Sequence, residues 1–337
     1  MKKNGKQVVL SGIRATGKLH LGNFLGAMRY FVELSQDPAK QCYFFIANLH
    51  TLTTRVDPKL IKHDLLEIVL DYLAAGINPE NSVIFAQSSV PETCELSWLL
   101  GCITPVSSLT VLPHFKDKKE QMESLGQSVN SGILTYPVLM AADILGPRAN
   151  LVPVGEDQKP HVELTRDLAR RFNNLYGPTF PEPQTLEGED IRVPGLDGSG
   201  KMGKSEGNTI DLIDTPEVIQ TKIARAVTDP ARVRRTDPGT PEICNVFGLH
   251  QLLSSPEEIS YVANGCRIAG IGCLDCKKIL SDNVVRLLEL FQIRRRELAE
   301  KGQSFILDIL RDGGQCARAV ISETVKEVKE KMGVPAY

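Results

Sequence analysis

The sequence predicts an α/β protein: a Rossmann-like, doubly wound parallel sheet followed by a C-terminal α-helical bundle domain. Three observations carry this. From Gln7 to about Phe172, short β-rich runs alternate with segments of helical period. Two of the helical segments begin directly after a strand-like run and carry a single apolar face. From Pro216 to Val334 the pattern is almost wholly helical.

The strand-like runs are Val8 to Leu10, Cys42 to Ala47, Val83 to Gln87 and Leu151 to Val154, rich in β-branched and aromatic residues. After Gly22 the apolar residues Phe24, Leu25, Met28, Phe31 and Val32 fall on one helix face. After Asp157, Val162, Thr165, Leu168, Ala169 and Phe172 do the same. Between Tyr176 and Asp214, Pro181, Pro183, Pro194, Gly195, Gly198 and Gly200 mark a loop. Val284, Leu287, Leu288 and Phe291, then Ile306, Ile309 and Leu310, give the last helices their apolar faces. The expected division is a sheet domain over 1–214 and a helical domain over 215–337. A doubly wound sheet binds its ligand beyond the carboxyl ends of its strands, so any motifs should gather there.

With 337 residues and 42% hydrophobic content, two domains fit better than one. The apolar runs fall short of the roughly 20 residues that span a bilayer. Met1-Lys2-Lys3-Asn4-Gly5-Lys6 leads into a strand-like run and not into a secretory apolar segment. A cytoplasmic protein with no membrane span is expected. The net charge of -2 offers no global attraction to nucleic acid. A local basic excess after Lys277, with Arg294, Arg295 and Arg296 contiguous, suits either nucleic-acid phosphates or a solvated helix face.

Two motifs carry the chemistry. Ser11 to Asn23 joins a strand to a helix, with Gly12, Gly17 and Gly22 allowing close backbone approach and His20 and Asn23 at the helix start. Alone, it reads equally as a tight turn. Lys201-Met202-Gly203-Lys204-Ser205 is a glycine-flanked loop whose lysines can neutralise charge on a leaving pyrophosphate, or simply a solvated basic loop. In this order, His20-Leu21-Gly22-Asn23 resembles the HIGH motif and Lys201 to Ser205 the KMSKS motif of class I aminoacyl-tRNA synthetases. Leu21, Asn23 and Gly203 depart from those patterns, and both lysines are kept.

Tyr136 to Ile144 and Val152 to His161 resemble segments of tryptophanyl-tRNA synthetases, and the likeness covers essentially the whole chain. It implies a homodimeric ligase using ATP, Mg²⁺, L-tryptophan and tRNA(Trp). It places Gly12, His50, Tyr136, Met140, Asp143, Ile144, Val152, Val154 and Gln158 around tryptophan. It places Arg14, Gly22, Asn23, Lys116, Lys118, Gly155, Asp157, Lys201, Met202 and Lys204 around ATP, and gives catalysis to His20, Asn23, Lys201, Lys204 and Ser205. Met140 and Asp143 are three apart, so on a helix a thioether and a carboxylate share a face, suiting an indole and its N–H. Asp157 suits ribose hydroxyls. Phe115 to Lys119 resembles the family's mobile loop. A tyrosyl-tRNA synthetase, or a non-catalytic relative that binds tRNA or tryptophan, are the alternatives.

Cys244, Cys266, Cys273 and Cys276 are separated by 21, 6 and 2 residues. Zinc sites usually present two short Cys-x-x-Cys pairs, and this array has one plus two single cysteines, which favours a [4Fe-4S] cluster. Zinc or unmetallated thiols remain open. A subset of the family carries such a cluster, with a first gap typically one residue longer, and its expected role is structural. Cys42, Cys94, Cys102 and Cys316 read as small core residues.

Overall fold

Five strands alternate with helices in the computed structural model, which describes residues 5–54, 57–124, 126, 128–186 and 191–334, the side chain of Ser205 excepted. They are β1 (Gln7–Ile13), β2 (Lys40–Ile46), β3 (Ser82–Ala86), β4 (Leu151–Pro153) and β5 (Gln184–Leu186), in the order β3-β2-β1-β4-β5, all parallel. The unbroken burial of β2 from Cys42 to Ile46 is what a parallel sheet covered on both faces requires. Phe44 stacks on Phe31 with ring centres 4.8 Å apart, while Phe45 stacks on Phe85 at 5.8 Å. Four strands fall on the expected runs. β5 does not: it lies within the stretch that reads as loop, because a three-residue edge strand among prolines carries no alternating pattern.

The chain forms two compact units that interleave along the sequence. The first comprises 1–17, 31–190 and 301–337, and the second 18–30 and 191–300. The expected single cut at 214 does not describe this division.

In the first unit the helix Ser131–Leu145 starts at Asn130, whose side chain accepts from the Ile133 N–H at 3.0 Å. The helix Lys159–Tyr176 buries Val162, Thr165, Leu168, Ala169 and Phe172, the stripe read from sequence. The final helix, Gly302–Met332, lies against β3. A Cβ on Gly313 would collide with the Ile84 carbonyl, and one on Gly314 would stand 2.6 Å from Ser89 Oγ, so this glycine pair is what lets helix and strand backbones meet. The last helix therefore belongs with the sheet and not with a C-terminal bundle. Helical period reveals an apolar face but not which partner covers it.

The second unit begins with Lys18–Tyr30. Leu19 and Leu21 pair in antiparallel fashion with Leu212 and Ile210 before the chain turns into a short helix, Leu21–Asn23, and a π-turn, Phe24–Met28. Its helices are Pro216–Arg225, Asn245–Leu253, Pro256–Arg267 and Cys273–Glu300, the last burying Leu280, Val284, Leu288 and Phe291. Thr215 and Ser255 cap two of them.

Two further expectations are corrected. Phe115 to Lys119 lies on a helix, Pro113–Ser124, and not in a loop. Of the cysteines read as core, only Cys42 is buried; Cys94 and Cys316 are exposed on helices, and Cys102 is exposed at the C-cap of the helix Glu92–Gly101. Among the described residues no helix is long and apolar enough to cross a membrane.

Candidate functional site

The carboxyl ends of β1, β2 and β4 and the helix Ser131–Leu145 enclose a cavity of about 300 Å³ in the first unit. Gly12, His50, Tyr136, Met140, Asp143, Ile144, Val152, Val154 and Gln158 all line it, as does Arg14. Gly12 is needed for packing: a Cβ there would stand 2.6 Å from the Phe45 carbonyl oxygen and 2.7 Å from its ring. This differs from the expectation that its role is backbone approach to a nucleotide.

Asp143 is buried and receives three hydrogen bonds. His50 Nε2 lies 2.9 Å from Oδ2, and the Gln87 amide reaches Oδ1 at 3.0 Å and Oδ2 at 2.8 Å. Burial pushes the Asp143 carboxyl up, while His50 and Gln87 pull it back. Tyr136 Oη is 2.6 Å from His161 Nε2, and His114 meets both rings edge-on. Burial pushes His161 down to about 4, with His114 adding to the effect, so at neutral pH its imidazole is uncharged and one hydrogen bridges Nε2 and the Tyr136 hydroxyl. Burial also raises Tyr136. Arg14 Nη2 donates to Thr54 Oγ1 at 2.7 Å and to the His50 carbonyl at 3.3 Å, while its Nε is buried with no partner in the protein.

At the mouth of β4, Asp157 is exposed and accepts from Gln158 Nε2 at 3.0 Å. A Cβ on the neighbouring Gly155 would stand 3.0 Å from Asp157 Oδ1. Lys116 is exposed, and Lys118 donates to Gln121 Oε1 at 2.7 Å along its helix.

The second unit holds both phosphate-type motifs. His20 is buried at the start of its helix, where its N–H donates to Asn23 Oδ1 at 3.1 Å. Burial first, and then the Lys204 charge, push His20 down to about 4. Its Nδ1 is buried without a protein partner, and its ring lies 3.0 Å from where a Cβ on Gly22 would stand. The lysine loop is pinned by Asn208: Gly203 N–H donates to Asn208 Oδ1 at 2.9 Å, and Asn208 Nδ2 donates to Asp197 Oδ1 at 2.8 Å. Met202 is buried, with its N–H donating to the Val193 carbonyl at 2.8 Å. Lys201 is exposed and Lys204 half-buried. The Ser205 side chain, assigned to catalysis from sequence, lies outside the described residues.

Comparison with known proteins decides the family. The model of class I tRNA synthetases (W and Y) matches residues 2–289. The chain is 45% identical to a tryptophan–tRNA ligase of Deinococcus radiodurans, covering 96% of this chain and 98% of that one. It is 44% identical to the one from Thermotoga maritima, covering 97% and 99%. This chain belongs to the class I tRNA synthetases. Among solved structures, a Campylobacter jejuni tryptophanyl-tRNA synthetase complexed with ADP and tryptophan superposes with a TM-score of 0.86 at 35% identity, covering 97% of this chain and 100% of that one. The Mycoplasma pneumoniae enzyme gives 0.82 at 30% identity, covering 98% of each.

Sequence reasoning passed over three residues of this synthetase that its bonding makes prominent: Gln87, His161 and Asn208. Gln87 follows a strand at the carboxyl edge of the sheet, where a doubly wound fold places its ligand, and that position was the available signal. His161 follows the Val152 segment by helical spacing and reads as one more turn of helix. Nothing local distinguishes Asn208 from a loop asparagine.

Around the four cysteines, Arg232 Nη1 lies 3.5 Å from Cys266 Sγ, and His250 Nε2 lies 3.3 Å from Cys276 Sγ. Burial, then the charges of Cys244, Cys266 and Cys273, push Cys276 up to about 12, so all four thiols stand within electrostatic reach of one another. A Cβ on Gly239 would come within 2.6 Å of Cys266 Sγ. Four converging thiols beside the cations Arg232 and Lys277 suit a thiolate-held group chemically. Among the described residues, however, no three His, Cys, Asp or Glu side chains stand close enough together to hold a metal ion.

Proposed function

We propose that this synthetase is a tryptophan–tRNA ligase, activating L-tryptophan with ATP and transferring it to tRNA(Trp). The observation that carries this reading is Asp143: a buried carboxylate, fully supplied with donors on its protein side, in an apolar cavity beside Met140. Such a group accepts one more N–H, and the indole offers one. Tyr136, whose hydroxyl is held by His161, presents an oxygen that can accept from the substrate ammonium.

In the first step a tryptophan carboxylate oxygen attacks the α-phosphorus of ATP, supplied as its Mg²⁺ complex, and the bond to pyrophosphate breaks. In the second, the terminal ribose hydroxyl of tRNA attacks the activated carbonyl and AMP leaves. Neither step needs a covalent enzyme intermediate. The chain's own contribution is positioning and charge. Arg14, Lys116, Lys118, Lys201 and Lys204 are cations for the phosphates, with Lys204 opposing the charge that develops on pyrophosphate. Neutral His20, with Asn23 and Ser205, hydrogen-bonds to phosphate oxygens. Gly22, Gly155, Asp157 and Met202 receive adenosine and its ribose. Amino-acid-dependent pyrophosphate exchange tests the reading. Exchange with tryptophan and not tyrosine is expected; exchange with tyrosine would identify a tyrosyl enzyme, and none from folded protein would identify a non-catalytic relative.

Two further readings rest on the resemblance, that the chain works as a homodimer in the cytoplasm and that Cys244, Cys266, Cys273 and Cys276 hold a [4Fe-4S] cluster. The sequence spacing of the four cysteines supports the second, with the cations Arg232 and Lys277 near them. A bound cluster would supply a structural cross-link between the Cys244 region and the helix Cys273–Glu300. Protein purified without oxygen should contain near four irons and four sulfides per chain; zinc alone, or no metal, would overturn it.

A further inference from the structure

Gln87 follows β3 as the first residue of a short 3-10 turn, Gln87–Ser89, and is 1% exposed, yet it touches none of the cavity's open space. Its amide orientation is set from behind. The backbone N–H groups of Leu49 and His50 point at its Oε1 at 3.1 and 3.2 Å, so the carbonyl end must face them and the NH₂ end must face Asp143. The amide nitrogen then faces the Asp143 carboxylate, with Oδ1 at 3.0 Å and Oδ2 at 2.8 Å, so one N–H is shared between the two oxygens. His50, whose own N–H helps to orient Gln87, supplies the second donor to the same carboxylate.

This chain of bonds has a direction. Backbone donors fix the amide, the amide and imidazole donate to the carboxylate, and the carboxylate is left with lone pairs only. A protonated Asp143 would bring a hydrogen that one of these donors opposes, so the network favours the acceptor form even though burial works against it.

We propose that Gln87 is a specificity-positioning residue that makes Asp143 an obligate acceptor, so that the cavity selects an aromatic amino acid carrying a ring N–H. The inference rests on the reading of this cavity as the tryptophan site. A site built to satisfy one substrate hydrogen bond rejects an isostere lacking it far more strongly than an apolar pocket rejects a missing methylene. Gln87 governs that discrimination without touching the substrate.

The test compares L-tryptophan with β-(benzothiophen-3-yl)-L-alanine, in which sulfur replaces the ring N–H, in pyrophosphate exchange by the full-length enzyme and by Gln87→Met. For tryptophan, kcat/KM should fall at least about tenfold, mainly through KM, as expected for loss of a hydrogen bond to a charged group. For the sulfur analogue it should stay within about twofold, so the preference for tryptophan collapses. Equal losses with both substrates would show that Gln87 merely supports the fold, and no loss would show that it does nothing; either overturns the proposal. Should Gln87→Met melt early, exchange is measured below its melting temperature and Gln87→Leu, which likewise lacks an amide donor, should show the same collapse. Wild-type enzyme that exchanges with neither substrate would instead refute the reading of the cavity itself.

Discussion

In the Asp143 cavity the polar groups are buried and bonded to one another, with Gln87, His50, His161 and Tyr136 each holding a neighbour in place. The lysine loop has the opposite construction. Its charges are exposed or half-exposed, and its backbone is tied down by one buried side chain, Asn208. The difference follows from what each ligand demands. An uncharged ring system is recognised by displacing water and placing a few dipoles exactly once, which requires burial. A triphosphate is recognised by charge that must also release it, and lysines at the surface provide charge without a large desolvation cost. Residues of the cavity should therefore couple binding to stability, and residues of the loop should not.

The largest expected effect lies on the loop. Lys204→Ala removes a cation from developing charge at a half-exposed position. Loss of one such electrostatic partner costs about 10² to 10³ in kcat. Pyrophosphate exchange should fall by that factor while the melting temperature stays unchanged. A variant with full exchange activity would remove Lys204 from the mechanism, and one that melts early would break the contrast between loop and cavity.

The contrast also explains what could be read from sequence. The first four strands, the helix stripe from Val162 to Phe172 and the two lysines announce themselves through local composition and spacing. All nine residues assigned to tryptophan line one cavity, because the helix Ser131–Leu145 and the carboxyl ends of the strands bring the two recognition segments, Gly12 and His50 together. What escaped notice depends on distant partners. Gln87 matters through Asp143, 56 residues away, and His161 through Tyr136, 25 residues away. The docking of the last helix turns on Gly313 and Gly314, whose value appears only when β3 is laid beside them. β5 is too short to show a period, and Cys94, Cys102 and Cys316 are exposed because small residues suit either face of a helix or its cap.

A smaller effect, confined to the cavity, concerns pH. The folded pKa of His161 is lowered to about 4 from 6.5 because the ring is buried and faces His114, with Asp157 and His50 as the other charged neighbours. The folded state thus binds fewer protons than the unfolded chain between these values, and stability must fall as pH drops through that window. It is fully present above 6.5. Protonation would also place a hydrogen on Nε2 against the Tyr136 O–H, so the same titration turns the tyrosine hydroxyl away. Urea unfolding at pH 7 and pH 5 should show wild-type protein losing about 1 kcal/mol more than His161→Gln, a figure reduced from full linkage because part of the ring's charge is screened by solvent. His161→Gln keeps an acceptor for Tyr136, so its KM for tryptophan at pH 7 should rise only a few-fold. Equal pH sensitivity in wild type and His161→Gln would mean that His161 is not the buried neutral imidazole that orients Tyr136.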